Sequence, residues 1–256
     1  MLVAGIDIGS MSTKAVIFNG QRFYKAISPT GWSPRQAASQ VYSQVLSRSG
    51  FNQKQIDYAV ATGYGRVSID FADRVVTEIT CHARGAAFLL PGTDMVIDIG
   101  GQDSKVIRTN AQGQVLDFAM NDKCAAGTGR FLQVIAAALG VDVSDLAALS
   151  SGQAPITLNS MCTVFAESEV IGLLSQGKEK GEIIAGLHQS IARRIAGMAQ
   201  RMGVLNKVTF TGGVARNEGV RAGLEEQLGV PVLVPDDCQF AGAIGAALLA
   251  WDSSEK

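Results

Sequence analysis

Two cysteines in this chain each stand close before an apolar segment with helical periodicity. Cys124 lies in NDKCAAGTGRFLQVIAAALG (121–140), and Cys162 lies in NSMCTVFAESEVIGLLSQG (159–177). The unpaired N–H groups and the macrodipole at the first turn of a helix favour negative charge. A thiolate is therefore stabilised there and can bind a metal or an iron–sulfur cluster. The pattern predicts a metal site, whereas a small packed thiol is the ordinary role of a cysteine outside such a context.

Both segments repeat apolar residues at spacings of three or four positions and end in a glycine, Gly140 or Gly177, which predicts a helix in each. The predicted apolar positions are Phe131, Leu132, Ile135 and Leu139 in the first helix and Val164, Phe165, Ile171 and Leu174 in the second.

The number of thiols bears on which metal is bound. A [4Fe–4S] cluster takes four thiolates, but only Cys124 and Cys162 share the helix-start setting. A two-fold homodimer would turn two cysteines per chain into four ligands, so we expect one cluster per homodimer. Cys81 and Cys238 lack this context and are expected to be core residues. A zinc ion bound by all four cysteines of one chain is the alternative.

The chain contains an internal repeat built on Ile-Asp-Ile-Gly. IDIGSMSTKAVI occupies residues 6–17 and IDIGGQDSKVI occupies residues 97–107. An apolar run, a glycine turn and a second apolar run predict a β-hairpin with polar residues at its tip. A third strand is expected at 21–27 and at 114–120, the first after the Asn-Gly turn at residues 19–20.

Each hairpin tip has the composition of a phosphate-binding turn. Backbone N–H groups at a glycine turn form an anion nest, and hydroxyl side chains add donors. Asp7 and Asp98 end the strands before the turns, where a carboxylate would act through Mg²⁺ and its waters. The predicted phosphate-site residues are Gly9, Ser10, Ser12, Thr13, Lys14, Gly100, Gly101, Gln102, Asp103 and Ser104.

A third segment, VTFTGGVARNEGV at residues 208–220, reads as a strand, a Gly-Gly turn and a helix that ends at Gly229. Gly212 and Gly213 would let a base or ribose lie against the backbone, and Asn217 could hydrogen-bond it. The segment is predicted to bind a nucleoside, although an ordinary βα turn has the same composition.

DIGS, DIGGQDSK and TGGVARN, in this order, resemble the phosphate-1, phosphate-2 and adenosine segments of the acetate and sugar kinase, Hsp70 and actin superfamily. The resemblance covers nearly the whole chain. It implies an α/β fold with two ribonuclease H-like lobes, each with a mixed five-stranded sheet, and a nucleotide cleft between them. We expect lobe I at residues 1–92 and 246–256, and lobe II at residues 93–245.

The strings DIGGQDSK, NDKCAAGTGRF, SMCTVFAESE, TGGVARN and QFAGAIGAA resemble the activator ATPases (component A) of 2-hydroxyacyl-CoA dehydratases, in the BadF/BadG/BcrA/BcrD ATPase family. The resemblance implies a homodimer whose bridging [4Fe–4S] cluster is held at Cys124 and Cys162. It also implies a reduced ferredoxin or flavodoxin as electron donor, a dehydratase-like partner that receives the electron when ATP is hydrolysed, and a place in anaerobic metabolism.

For the hydrolytic step we expect Gln102 or Asp103 to orient water, with Asp7 acting through Mg²⁺. Gly127 and Gly129 are expected to contact phosphate, so that the turn after Cys124 links ATP to the cluster. A small-molecule kinase, such as a sugar or amino-sugar kinase of the same superfamily, is the rival function. A structural or chaperone-like nucleotide switch is a third, which would give the two cysteines no role.

Charge and hydropathy indicate which partners and which location to expect. The chain has 256 residues with 22 basic and 23 acidic side chains and no block of five or six like charges, so neither nucleic acid nor a membrane surface is an expected partner. The apolar stretch AGAIGAALLAW (241–251) is shorter than a membrane span and is predicted to be a buried helix. No signal peptide is recognised at the N-terminus, so a cytoplasmic location is expected.

Overall fold

The computed structural model describes residues 1–158, 162–203 and 206–254, in which there are ten β-strands and eight α-helices. The strands are β1 (Val3–Ile8), β2 (Ser12–Phe18), β3 (Phe23–Pro29), β4 (Tyr58–Thr62), β5 (Arg74–Val75), β6 (Met95–Ile99), β7 (Ser104–Thr109), β8 (Val115–Asn121), β9 (Val208–Thr211) and β10 (Val232–Leu233). The helices are α1 (Pro34–Ser49), α2 (Glu78–Leu89), α3 (Gly129–Leu139), α4 (Leu146–Ser150), α5 (Thr163–Ser175), α6 (Lys180–Arg201), α7 (Glu218–Leu228) and α8 (Ala241–Ser254).

The strands form two five-stranded sheets, in the orders β3-β2-β1-β4-β5 and β10-β9-β6-β7-β8. Read from β8, the second sheet repeats the connectivity of the first. In the first sheet β1 pairs antiparallel with β2 and parallel with β4, so that sheet is mixed. The predicted α/β fold with two five-stranded sheets is confirmed, and the repeat extends over five strands in each half.

The hairpins built on Ile-Asp-Ile-Gly have the predicted third strands, β3 and β8. The turn before β3 contains Gly20, whose φ is +87°. The Asn19 side chain accepts hydrogen bonds from the backbone N–H groups of Gln21 and Arg22 at 3.1 and 2.8 Å. Asparagine closes the turn and glycine adopts the left-handed conformation, as the Asn-Gly signal predicts.

The chain folds into two compact units. Unit 1 comprises Met1–Val96, Ile107–Asp117 and Pro235–Lys256, and unit 2 comprises Ile97–Val106 and Phe118–Val234. The predicted lobe boundaries stay a prediction.

In unit 1 the first sheet is covered on both faces. Ile6 and Ile8 of β1 belong to a buried cluster with Val41 of α1, whereas Val3 belongs to a second cluster with Ala247 of α8. This alternation follows from the two-residue period of side chains in a strand. Because β1 is buried from both sides, its end is a rigid support for the turn that follows.

Helix α8, which contains the predicted buried helix at residues 241–251, packs along α2 at very close range. A Cβ added to Gly245 would lie 1.8 Å from the carbonyl oxygen of Cys81, and one added to Gly85 would lie 1.9 Å from that of Ala241. Only glycine leaves room for this backbone approach. The small residues of these helices therefore fix how they pack.

In unit 2, α6 packs against α4 and α7, and α3 packs against α5. Phe131, Leu132, Ile135 and Leu139 of α3 are buried, as the spacing predicts. Helix α5 differs from expectation, because Phe165 and Ile171 are 68% and 54% exposed. Ala166 and Val170 form the buried side of α5 instead, and the side chain of Val164 lies outside the described part of the chain.

Among the described helices, none is long and apolar enough by itself to span a membrane. The segments Gly129–Leu139 and Val143–Ser150 meet the length and composition test only as a pair bent by 99°.

Candidate nucleotide and metal sites

The first candidate phosphate turn connects β1 and β2 in unit 1. Asp7 is buried near the end of β1 and pairs in register with Lys14, whose Nζ lies 3.6 Å from Asp7 Oδ2. Gly9, Ser10 and Ser12 are partly exposed at the tip.

The hydroxyl of Thr13 does not point out of this turn. Thr13 is fully buried, and its Oγ1 lies 2.9 Å from Thr30 Oγ1, which in turn donates to the Gly9 carbonyl oxygen at 2.7 Å. The Thr13 hydroxyl is therefore already engaged with Thr30, and a phosphate contact of Thr13 stays a prediction. Its hydroxyl supports the turn from inside.

The second candidate turn connects β6 and β7 in unit 2 and carries more charge than the first. The Nζ of Lys105 lies 3.4 Å from Asp98 Oδ2 and 2.8 Å from Asp103 Oδ2. The other oxygen of Asp98 accepts a hydrogen bond from Thr211 Oγ1 at 3.1 Å. Lys105 is only 1% exposed. Sequence reasoning gave this lysine no role, although it lies at the same spacing from an aspartate as Lys14 does.

The tip of the second turn is formed by Gly100, Gly101 and Gln102. The N–H of Gly100 donates to the Asp103 carbonyl oxygen at 3.0 Å, which closes the turn. Gln102 is exposed at the tip, in a position where it can meet a ligand. Ser104, in contrast, is fully buried, and its hydroxyl has no hydrogen-bond partner among the described residues. Ser104 is therefore not an exposed phosphate donor here.

Each aspartate lies against a Thr-Gly turn at the end of the neighbouring strand. Gly63 follows β4 with a φ of +88°, and Gly212 follows β9 with a φ of +89°. A Cβ added at Gly63 would lie 2.5 Å from Asp7 Oδ1, and one added at Gly212 would lie 2.8 Å from Asp98 Oδ1. Both the left-handed conformation and the lack of space require glycine. Sequence reasoning identified only the second of these turns.

The predicted nucleoside segment has a defined geometry. Gly212 is buried, and Gly213 is exposed at the surface of the turn. Asn217 is the N-cap of α7, and its Oδ1 accepts a hydrogen bond from the Val220 N–H at 3.0 Å. The amide nitrogen of Asn217 and the second lone pair of its Oδ1 are the groups left for a nucleoside contact.

The start of α3 is hydrogen-bonded to the second turn. The N–H of Gly129 donates to the Gly100 carbonyl oxygen at 2.9 Å, and the N–H of Arg130 donates to the Gly101 carbonyl oxygen at 2.8 Å. The Gly129 N–H is therefore already engaged, and the expected phosphate contact of Gly129 stays a prediction. Gly127 is buried, and a Cβ added there would lie 3.0 Å from the Arg194 side chain.

Cys124 does not stand at a helix start. Helix α3 begins at Gly129 with Thr128 as its N-cap, so Cys124 lies four residues before the N-cap rather than at the first turn, and its role as a ligand stays a prediction. The intervening residues form a tight loop, in which the Asn121 side-chain amide donates to the carbonyl oxygens of Cys124 and Ala126 at 2.8 and 3.3 Å. The loop holds Cys124 as a partly exposed free thiol.

Cys162 has the setting that the sequence predicts. It is the N-cap of α5, with an extended backbone, and its carbonyl oxygen accepts the Ala166 N–H at 2.8 Å. The thiol is exposed and free. Because the positive end of the helix dipole faces this position, a negatively charged ligand sphere is favoured there.

The other two cysteines are core residues, as predicted. Cys81 and Cys238 are 0% and 2% exposed. Burial raises the pKa of the Cys81 thiol to about 12, which keeps it protonated. Among the described residues, no three His, Cys, Asp or Glu side chains are grouped to hold a metal ion. The alternative of one zinc bound by four cysteines of one chain is therefore wrong for this structure.

Comparison with known proteins identifies relatives that match nearly the whole chain. The (R)-2-hydroxyglutaryl-CoA dehydratase activating ATPase of Acidaminococcus fermentans is 46% identical over 98% of this chain and 98% of its own length. The crystal structure of the Acidaminococcus fermentans (R)-2-hydroxyglutaryl-CoA dehydratase component A matches with a TM-score of 0.96 and 45% identity, covering 100% of both chains.

A second solved structure, the activator of the 2-hydroxyisocaproyl-CoA dehydratase from Clostridium difficile with bound ADPNP, matches with a TM-score of 0.93 and 43% identity. It covers 100% of this chain and 96% of its own. Residues 4–250 match the BadF/BadG/BcrA/BcrD ATPase family. The chain therefore belongs to the BadF/BadG/BcrA/BcrD ATPase family.

Proposed function

We propose that this protein is an ATP-dependent activator that passes a low-potential electron to a 2-hydroxyacyl-CoA dehydratase-like partner. The observation that carries the proposal is the division of the cysteines. Cys124 and Cys162 are accessible free thiols in unit 2, whereas Cys81 and Cys238 are buried. The similarity to two dehydratase activators supports the same conclusion.

The two accessible thiols fit one half of a [4Fe–4S] ligand set. Cys162 lies at the positive end of α5, and α5 packs against α3, the helix that follows Cys124. In a homodimer the two chains would supply four thiolates. When bound there, the cluster would supply one-electron transfer, with Cys124 and Cys162 of each chain as its ligands. Phe165 and Ile171, exposed on α5, give the chain an apolar face that a second copy can cover.

ATP is proposed to bind through the two Ile-Asp-Ile-Gly turns. Asp7 and Asp98 act through Mg²⁺ and its waters, since a carboxylate in direct contact with phosphate would be repelled. The tip residues Gly9, Ser10, Ser12, Gly100 and Gly101 contribute to the phosphate site, together with Lys14. Gly212 and Gly213 contact the adenosine, and Gln102 or Asp103 orients the hydrolytic water.

Coupling of ATP to the thiols is supported by hydrogen bonds within unit 2. The second turn and the first residues of α3 are joined by two backbone hydrogen bonds, at Gly100 and Gly101. Movement of the turn would therefore move the start of α3, whose buried face begins at Phe131. If nucleotide binding shifts the populations of two conformations from 1:99 to 99:1, the nucleotide must bind one conformation more strongly by about 5.5 kcal/mol. For a one-electron transfer, that free energy corresponds to a change of about 240 mV in reduction potential.

The remaining assignments follow from the family resemblance. The electron donor is proposed to be a reduced ferredoxin or flavodoxin, and the location is proposed to be the cytoplasm. The rival small-molecule kinase would need no accessible thiols, whereas the activator requires them.

The proposal is tested by strictly anaerobic purification and metal analysis. About two irons and two sulfides per chain, in a dimer, are expected, because one four-iron cluster is shared by two chains. Cys124→Ala and Cys162→Ala should each lose iron and brown colour, and Cys238→Ala is the matched control that should keep both. A colourless monomer without metal would contradict the proposal, and phosphorylation of a sugar by such protein would favour the kinase.

A further inference from the structure

We propose that Lys105 is a positioning residue for Mg²⁺–ATP, because its ammonium aligns the carboxylates of Asp98 and Asp103 at the second turn. The inference rests on the proposed binding of ATP and Mg²⁺ and goes beyond it by assigning the metal chiefly to this turn.

The two copies of the repeat differ in charge at one position. Ser12 of the first copy corresponds to Asp103 of the second, while the aspartate and lysine of the pair are present in both. The first turn therefore has one carboxylate for one ammonium, at a distance of 3.6 Å between Asp7 and Lys14. The second has two carboxylates for one ammonium. A divalent cation is attracted more strongly to the second group.

The position of Lys105 explains how two carboxylates are held close together. Its Nζ contacts one oxygen of each carboxylate, at 2.8 Å for Asp103 and 3.4 Å for Asp98. Thr211 holds the second oxygen of Asp98. The second oxygen of Asp103 lies against Gly100, where an added Cβ would be 2.6 Å away. Each of the two carboxylates is therefore held in a single orientation.

Burial limits the groups that the Lys105 ammonium can reach. Lys105 is 1% exposed and its stem lies within β7, whereas the Asp103 side chain is 21% exposed. The ammonium thus faces the ligand site only through the carboxylates that it aligns. We therefore assign Lys105 an indirect role, through Asp98 and Asp103, rather than that of a catalytic lysine.

The test measures ATP affinity over a range of Mg²⁺ concentrations, together with kcat for ATP hydrolysis, on intact protein purified anaerobically. Lys105→Met removes a positive charge beside the metal, so half-saturating Mg²⁺ should fall by about tenfold or more. The metal would no longer be held in the right place, so kcat should also fall by about tenfold or more. Tighter metal binding with slower hydrolysis is a result that mere loss of packing does not give.

Two further variants complete the test. Lys105→Arg keeps the charge and should keep half-saturating Mg²⁺ within about threefold of the wild-type value. Lys25→Met is the matched control, because it breaks a Lys–Asp pair with Asp237 in unit 1, whereas Lys105 and its two aspartates belong to unit 2. In that control, half-saturating Mg²⁺ and kcat should both stay within about twofold of the wild-type values.

Unchanged Mg²⁺ dependence and kcat in Lys105→Met would overturn this inference but leave the proposed function standing. Weaker Mg²⁺ binding by the folded variant would have the same consequence. If Lys105→Met does not fold, Lys105→Arg decides, since a tenfold shift of half-saturating Mg²⁺ in that charge-conserving variant would refute the inference. Wild-type protein that binds no ATP at any Mg²⁺ concentration would overturn the proposed function and the inference together.

Discussion

Lowering the pH should destabilise unit 2 through one buried histidine, His188 of α6. The ring is 3% exposed, and its Nδ1 lies 3.1 Å from Ser150 Oγ. Because Ser150 Oγ donates to the Ala147 carbonyl oxygen at 3.2 Å, it accepts from the ring, which places the proton on Nδ1. Nε2 is buried with no hydrogen-bond partner among the described residues. Burial lowers the pKa of His188 from 6.5 to about 4.

The sign and size of the effect follow from linkage. The unfolded chain takes up the proton near pH 6.5, and the folded chain only near pH 4, so stability is full above pH 6.5 and falls as the pH decreases towards 4. Between pH 7.5 and pH 5 the loss from this group is about 2 kcal/mol. For a chain of this size, that corresponds to about 4–8 °C in the melting temperature.

The assay compares wild-type protein with His188→Asn, whose amide can replace the Nδ1 hydrogen bond but does not titrate. Both tryptophans, Trp32 and Trp251, lie in unit 1, so far-UV circular dichroism is the better probe of unfolding in unit 2. The variant should be less stable than wild type at pH 7.5, and the difference should shrink by about 2 kcal/mol at pH 5. Parallel loss of stability in the two proteins would refute the reasoning.

Two glycine substitutions in helices should have opposite effects on thermal unfolding. Gly245→Ala places a Cβ 1.8 Å from the Cys81 carbonyl oxygen and should cost about 3 kcal/mol, because α8 must move away from α2. Gly197→Ala in α6 meets nothing within 4 Å and should stabilise the protein by about 0.5–1 kcal/mol through helix propensity. Similar melting temperatures for the two variants would contradict the proposed packing of α2 on α8.

The hairpins were predictable because their signals are local. The Ile-Asp-Ile-Gly repeat and the Asn-Gly turn at Gly20 encode strand alternation and left-handed backbone within a few residues. Helix ends at Gly140 and Gly229 were predictable for the same reason, since both glycines adopt the left-handed conformation that ends a helix.

The features that the sequence did not reveal depend on contacts between distant segments. The start of α3 is hydrogen-bonded from Gly129 to Gly100 and from Arg130 to Gly101, and no local pattern encodes these contacts. The turn at Gly63 repeats the one at Gly212 in three dimensions but shares only a Thr-Gly pair with it in sequence. The burial of Lys105 was missed because lysine is almost always exposed unless it is paired.

Exposure of α5 was missed for a different reason. Phe165 and Ile171 are apolar, and apolar residues in a helical pattern are normally read as core. A single chain offers them no cover in this structure. Sequence periodicity identifies the apolar positions of a helix but does not show whether the rest of the chain covers them.

The most direct test of the account is to follow the electron. Protein reduced under anaerobic conditions is mixed with a 2-hydroxyacyl-CoA dehydratase, and its electron paramagnetic resonance signal is recorded before and after addition of Mg²⁺–ATP. The account predicts that the signal stays when ATP is absent or replaced by a non-hydrolysable analogue, and is lost with ATP as the dehydratase becomes reduced. Loss of the signal without nucleotide, or a signal unaffected by ATP, would contradict it.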